Sequence, residues 1–244
     1  MSDNPSIRFS SKADYLPQLS IDCVIFGYRD RNLHVLIPKL NLPSAFFTLP
    51  GGFILQDEGI DAAARRILEG RTGISEIYLE QFRTFGDPDR SGGTFMEEVV
   101  REHVKQTGQD FLEMEWLTRR FVSIGYYALV DLQKVTPVRG DIDVSVDWYP
   151  IKELPTMILD HGEIVAEALQ ALRQNLDQKL IGFNLLAEKF TMRELRELYE
   201  AVYDRPFTRS NFQKKMLDLN VLERLEKKFT GASNKAPFLY WFNR

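Results

Sequence analysis

The residues able to do chemistry fall into two groups. The first is acidic: Glu58, Glu69, Glu97 and Glu98 lie in or just beyond the stretch from Leu49-Pro50-Gly51-Gly52-Phe53 to Gly73-Ile74. Carboxylate oxygens are the ligands that Mg²⁺ prefers, usually together with substrate phosphates, so a converging set would support metal-assisted hydrolysis. The second group is basic: Arg209, Ser210, Asn211, Gln213, Lys214 and Lys215 share a segment with no acid between Arg205 and Leu217. Donors of these types near a helix start suit the major groove of DNA. Other chemistries are poorly served. Cys23 is the only cysteine, which excludes an intrachain disulfide and a metal site built on several cysteines. His34, His103 and His161 are scattered and suggest no zinc site.

These groups need elements to position them. Ser20 to Tyr28 reads as a buried strand, Asp30-Arg31-Asn32 as a turn, and Leu33 to Pro38 as the returning strand of a hairpin. The apolar run Ala45 to Leu49 leads to a tight Pro50-Gly51-Gly52 turn. Asp57-Glu58 then opens a helix, Ile60 to Glu69, that stops at Gly70 or Gly73. Strands are expected at Ile77 to Phe85 and Phe121 to Val130, with a turn at Gly86 to Arg90. Between them, the charged and partly helical segment 96–117 is either a cover over a pocket or a dimer contact, or a solvated decoration. Ser145 to Pro150 leads to a long helix, capped by Asp160 to Glu163 and ending near Leu180. Residues 1–18 read as a polar arm.

The last segment is short and patterned. Thr191-Met192-Arg193-Glu194 is a capping box, in which a threonine caps the helix and a glutamate three residues on reaches back. Leu195, Leu198, Tyr199 and Val202 make that helix's apolar face. A second helix, Thr208 to Leu219, offers Phe212, Met216, Leu217 and Leu219 to a core and the basic group to its other face. Strands from Val221 and at Phe238 to Phe242, around a turn at Thr230 to Lys235, complete the order helix, turn, helix, hairpin of a winged helix.

Composition fits this picture. The 244 residues suffice for one large domain or two small ones, and 44% hydrophobic and 27% charged residues are ordinary for a soluble protein. No long apolar run suggests a membrane span, and a reducing cytoplasm is the expected location. The net charge of −4 hides an asymmetry: residues 176–244 carry 13 Lys and Arg against 9 Asp and Glu, and the remainder 18 against 26. A basic small part joined to an acidic large one points to an anionic partner for the tail.

The stretch from Gly52 to Ile74 resembles the Nudix box. Gly52, Glu58, Arg66, Leu68, Gly73 and Ile74 fit that pattern, but Ile67, Gly70 and Arg71 stand where it has glutamates. In a Nudix hydrolase those glutamates hold metal ions and activate water. The resemblance, with its box degenerate, therefore implies a pocket that binds without hydrolysing: no catalytic residue, no metal and no cofactor. From about residue 18 to 244 the chain resembles the Nudix-related transcriptional regulators, the NrtR-like group. Three stretches carry this: Leu49 to Phe53, Phe85-Gly86-Asp87-Pro88-Asp89-Arg90 with Ser123 to Val130, and Phe190 to Leu195 through Asn211 to Leu217. The resemblance implies an α/β fold. A Nudix α/β/α sandwich over residues 1–180, with an insertion at 91–118, precedes a small α+β winged-helix domain over 181–244. It also implies a homodimeric repressor that binds double-stranded operator DNA through the basic group and is released by a small effector. The group's effectors include pentose sugars and ADP-ribose. Loss of the metal-binding glutamates favours a pentose such as arabinose, although Arg71, Arg83 or Arg90 would let ADP-ribose bind through its phosphates. Lys39, Gly51, Gly52, Phe53, Asp89 and Arg90 are the expected effector contacts. An active hydrolase using the four glutamates above is the rival reading.

Overall fold

A computed structural model describes residues 14–41, 46–88, 90, 93–108, 115–132, 134–140, 142–179, 181–228 and 236–243. The polar arm's first 13 residues, Asp89 and the wing turn at Thr230 to Lys235 fall outside the described residues. Six strands form one mixed sheet: β1 (Tyr15–Arg29), β2 (Asn32–Leu40), β3 (Gly51–Leu55), β4 (Tyr78–Phe85), β5 (Val122–Val130) and β6 (Asp143–Pro150). Their order is β4-β5-β1-β2-β6, with β3 also paired to β1. Only the β1–β5 pair is parallel among the pairings within this sheet.

Residues alternate sides along β1, as a period of two requires. Ile21, Cys23 and Ile25 pack with Ala63, Ala64, Ile67 and Leu68 of helix α1 (Ile60–Thr72). Val24 and Phe26 pack on the opposite side with Ile164, Val165, Ala168, Leu172 and Leu176. These last belong to helix α3 (His161–Gln178), which comes after α2 (Gly93–Thr107) in the chain. Asp30 and Arg31 both adopt positive φ, so the β1–β2 hairpin closes in two residues and its twist matches the strands. Gly73, with φ of 71°, ends α1 in the left-handed conformation and donates its N–H to the Glu69 carbonyl.

The chain then forms a second, three-stranded sheet in the order β7 (Phe190–Thr191), β9 (Phe238–Phe242), β8 (Leu222–Lys227). Helices α4 (Met192–Tyr203) and α5 (Arg209–Asp218) pack on it through Leu195, Leu198, Tyr199, Val202, Phe212 and Met216. The capping box is formed in full: the Glu194 N–H donates to Thr191 Oγ1 at 3.2 Å, and the Thr191 N–H donates to Glu194 Oε2 at 2.7 Å. The α3 helix is tied to α4 by the Arg173 Nε donation to the Val202 carbonyl and the Tyr203 hydroxyl donation to the Arg173 carbonyl, both 2.8 Å.

Several local expectations need correction. Gly51 and Gly52 are not a tight turn but the first residues of β3. The reason is steric: a Cβ on Gly51 would sit 2.7 Å from the Ile21 carbonyl and 2.9 Å from Asp22 Oδ1. The run before it makes only isolated bridges, Phe47 to Lys39 and to Met157, rather than a strand. The strand expected to begin at Ser20 begins at Tyr15, so the arm ends sooner. Glu58 precedes α1 and binds Arg66 rather than capping the helix, and Gly59 takes the N-cap position. Asp160 makes no cap hydrogen bond. Leu217 and Leu219 do not enter the core: they are 41% and 39% exposed, because Leu217 lies about 100° around α5 from Met216 and Leu219 falls at the helix's C-cap.

Candidate functional site

A cavity of about 190 Å³ opens where β1 and β3 meet the starts of β6 and α3. Helix α2 and the turn of 3₁₀ helix at Glu115–Thr118 close it from above. Met96, Val99, Val100 and Leu117 supply that wall, and Val100 and Leu117 are buried. The described parts of this segment, residues 96–108 and 115–117, are thus no solvated decoration. They cover a pocket, held by Trp116, which packs edge-on to Phe53 at 4.9 Å and stacks on Tyr15 at 6.0 Å.

Polar groups gather on the opposite wall. Asp22 interrupts the apolar run of β1 and is 7% exposed. Its Oδ2 accepts from Arg90 Nη2 at 2.8 Å and from Ser123 Oγ at 2.6 Å. Arg90 uses its Nε on Asp160 Oδ2 at 2.7 Å, which turns this carboxylate toward the cavity wall. His161 accepts the Leu49 N–H at Nδ1, 2.9 Å away, so its proton sits on Nε2, 3.7 Å from Asp22 Oδ1. Burial holds the His161 imidazole below its ordinary pKa, and Arg90 adds to this against the opposing pull of Asp22. A second pair lies alongside, with Arg71 bonded to Asp143 Oδ2 in a buried ion pair. Gly140 donates its N–H to the same oxygen at 2.7 Å, and any Cβ on Gly140 would meet the Arg71 guanidinium at 2.7 Å.

The structure brings together Gly51, Gly52, Phe53 and Arg90 of the expected effector contacts. Lys39 is not among the residues lining the cavity. Its Nζ lies over the Phe47 ring, 5.8 Å from the centroid. The sequence reading missed Asp22, Asp143 and His161 as cavity residues. An acid inside a buried strand was the available signal for Asp22, whereas nothing in the local pattern singled out Asp143.

Among the described residues, none of the four glutamates named for a hydrolase lines this cavity. Glu58 is turned to Arg66, which binds it through Nε at 3.0 Å and again through Nη2. Burial would raise the Glu58 pKa, but that guanidinium and the Leu55 N–H hold it below the usual range. Glu69 is exposed, and Glu97 pairs with Arg101 at 3.7 Å. Of the three substituted box positions, Ile67 is in the core and Arg71 is committed to Asp143. Cys23 is fully buried, and burial pushes its thiol pKa up, so it offers no nucleophile.

The second candidate surface is α5. Arg209, Ser210, Asn211, Lys214 and Lys215 are exposed, and Gln213 is half-buried. Phe212 and Met216 anchor the opposite side, and Phe212 meets Tyr199 edge-on at 5.1 Å. A groove of about 690 Å³ runs between α4, α5 and β9, lined by Arg193, Arg196, Arg209 and Gln213 among others.

Comparison with known proteins agrees with both halves of this description. Residues 182–242 match the family described as the NrtR DNA-binding winged helix domain. A relative from Acinetobacter baylyi, called the ADPR responsive transcriptional repressor NtrR, is 25% identical over 238 residues, or 95% of this chain and 84% of that protein. The crystal structure of Shewanella oneidensis NrtR complexed with a 27mer DNA is similar with a TM-score of 0.67 at 25% identity, over 93% of this chain and 94% of that one. A MutT/nudix family protein from Enterococcus faecalis has the same TM-score at 20% identity, covering 93% and 87% of the two chains. In architecture, then, this chain is NrtR-like, a Nudix-like α/β domain followed by a winged helix of the NrtR DNA-binding type.

Proposed function

We propose that this protein is a homodimeric transcriptional repressor that binds operator DNA through α5 and releases it when a small effector enters the cavity of the Nudix-like domain. The observation that carries the DNA half is the exposed, acid-free start of α5, set in a winged helix of the NrtR type. Arg209, Ser210, Asn211, Gln213, Lys214 and Lys215 are its proposed DNA contacts. With about four phosphate contacts per subunit, log affinity falls against log salt with a slope near −7. Fluorescence anisotropy with labelled promoter DNA over a salt series measures this, and a slope close to zero sinks the DNA claim.

For the effector, similarity to a repressor described as ADPR responsive supports ADP-ribose over the pentose that the degenerate box suggests. The cavity contacts proposed for it are Gly51, Gly52, Phe53 and Arg90, joined by Asp22, Arg71 and Asp143. The cavity's buried arginines, Arg71 and Arg90, are already matched by aspartates, which favours a neutral group at this end of the ligand and keeps a free pentose as the second reading. Catalysis is proposed to be absent, because Glu58 is held by Arg66 and Arg71 replaces a metal-binding carboxylate. Thermal-shift titration with ADP-ribose, pentoses and nucleotides, without and with Mg²⁺, separates these readings. Mg²⁺-dependent turnover of ADP-ribose that is lost on substituting Glu58 would restore the hydrolase.

The coupling follows from linkage. Recognition helices of a dimer must match major grooves about 34–36 Å apart. An effector that favours another dimer arrangement by ~1–3 kcal/mol weakens operator binding roughly 5–150-fold. Met96, Val99 and Leu117, which wall the cavity, are the residues proposed to pass the effect of a bound ligand outward.

A further inference from the structure

Two carboxylates on the cavity wall are half used. Asp143 is 8% exposed; its Oδ2 takes both Arg71 and the Gly140 N–H, while its Oδ1 is buried with no hydrogen-bond partner among the described residues. Asp22 is similar in part. Its Oδ2 takes Arg90 and Ser123, and its Oδ1 faces the His161 Nε2 at 3.7 Å, beyond hydrogen-bonding reach. A buried acceptor without a donor, as Asp143 Oδ1 is, lowers stability, and an incoming donor recovers that loss. Each of these carboxylates already has its own arginine, so the wall does not call for a cation. It calls for neutral donors. Opposite lie Phe53, Leu117 and Phe121, an apolar wall suited to the C–H face of a ring. A phosphate is disfavoured beside two carboxylate oxygens.

We propose that this end of the cavity is a subsite for vicinal hydroxyls, in which Oδ1 of Asp22 and Oδ1 of Asp143 accept hydrogen bonds from the diol of a sugar ring. A volume of about 190 Å³ fits a sugar-sized group. It is below the ~300–1,000 Å³ that encloses whole drug-sized ligands. The diol has two sources with the same chemistry, the terminal ribose of ADP-ribose or a free pentose. In the first case the diphosphate leads outward, toward Arg119, which is exposed at the cavity edge. The proposal rests on the reading of the cavity as the effector site and deepens it by naming the recognised group and the two residues that select it.

The test is metal-free isothermal titration calorimetry of the full chain against ADP-ribose, ADP, L-arabinose, D-ribose and 2-deoxy-D-ribose. A site built around hydroxyl hydrogen bonds rejects analogues lacking them, so ADP is expected to bind at least about tenfold more weakly than ADP-ribose. Binding of ribose with 2-deoxyribose at least about tenfold weaker, and no response to ADP-ribose, supports the subsite and overturns the nucleotide reading. Equal affinity for ADP and ADP-ribose overturns the subsite and leaves the ADP-ribose reading standing. No heat from any of the five overturns both. Asp143→Asn is expected to weaken ADP-ribose at least about tenfold while leaving ADP unchanged. Should that variant fail to fold, the ligand series on the unaltered chain decides alone.

Discussion

Arginine serves opposite ends in the two halves of this chain. In the Nudix-like half, Arg71 and Arg90 are buried, and each is bound to aspartate before any ligand arrives. In the winged helix, Arg209 is exposed and has no ion pair among the described residues. Desolvation separates the two cases. A buried cation must be paired, because leaving it alone in a low dielectric costs several kcal/mol. An exposed cation keeps its hydration, so it is free to exchange water and counterions for a phosphate. Buried arginines therefore shape a neutral cavity, while the exposed one stays available to an anion. The lesson is that a charge's role follows from its partners, which sequence alone does not reveal.

That contrast can be broken experimentally. The largest effect should come from Asp143→Ala, which leaves Arg71 buried and uncompensated. A loss of about 3–5 kcal/mol is expected in urea denaturation. A loss near zero would mean that the pair is solvated and the cavity wall misread. Arg209→Ala should do the reverse. Stability should hold within about 0.5 kcal/mol. Operator affinity should drop by ~1–3 kcal/mol if the guanidinium reads a base. Unchanged anisotropy curves would remove Arg209 from the interface.

His161 provides a pH test of the cavity side. Its imidazole is held below its ordinary 6.5 by burial, with Arg90 assisting and Asp22 and Asp160 opposing. The unfolded chain therefore takes up a proton in a range where the folded chain does not. Stability should fall as pH drops below 6.5 toward the folded value, and be regained on raising it. His161→Gln should flatten this part of a stability-versus-pH curve. A curve of the same slope would show that other groups set it.

Thr191→Ala tests the helix that supports α5. Losing the threonine's half of the capping box should cost about 1 kcal/mol in thermal unfolding, with a parallel loss in DNA affinity at temperatures near the transition. A stability loss confined to the Nudix-like half would separate that half from the winged helix.

Much of the fold was legible because it rests on local patterns. Near-continuous apolar runs placed most of β1 and β5, the Ala-Arg-Leu composition with Gly73 placed α1, and Thr191 with Glu194 marked the start of α4. The two-residue strand β7 carried no pattern of its own; it exists because Phe190 and Thr191 pair with Tyr240 and Leu239 across the chain. The candidate site was harder to read for the same reason. Gly51, Gly52, Phe53 and Arg90 line the cavity, but Asp143 becomes visible only when Arg71, 72 positions away, folds onto it. Gly51 looked like a turn residue when its lack of a side chain serves close approach of β3 to Ile21. Leu219 shows the limit of helical spacing: it gives a face, but not how far along that face the core extends.

The smallest expected effect belongs to Arg83, which the sequence offered as a phosphate ligand alongside Arg71 and Arg90. The structure pairs it with Glu167 at 3.0 Å and sets it over the Phe85 ring at 5.3 Å. Both partners of this ion pair are about half exposed. Such a pair contributes ~0.2–1 kcal/mol, because side-chain ordering and screening offset most of the attraction. Arg83→Ala should therefore change the midpoint of thermal unfolding only slightly, and it should leave effector affinity unaltered. A tenfold or larger loss of ADP-ribose binding in this variant would mean that the diphosphate runs along α3 rather than toward Arg119. Exposed arginines of the Nudix-like half would then behave as Arg209 is expected to, and the contrast between the two halves would reduce to burial alone.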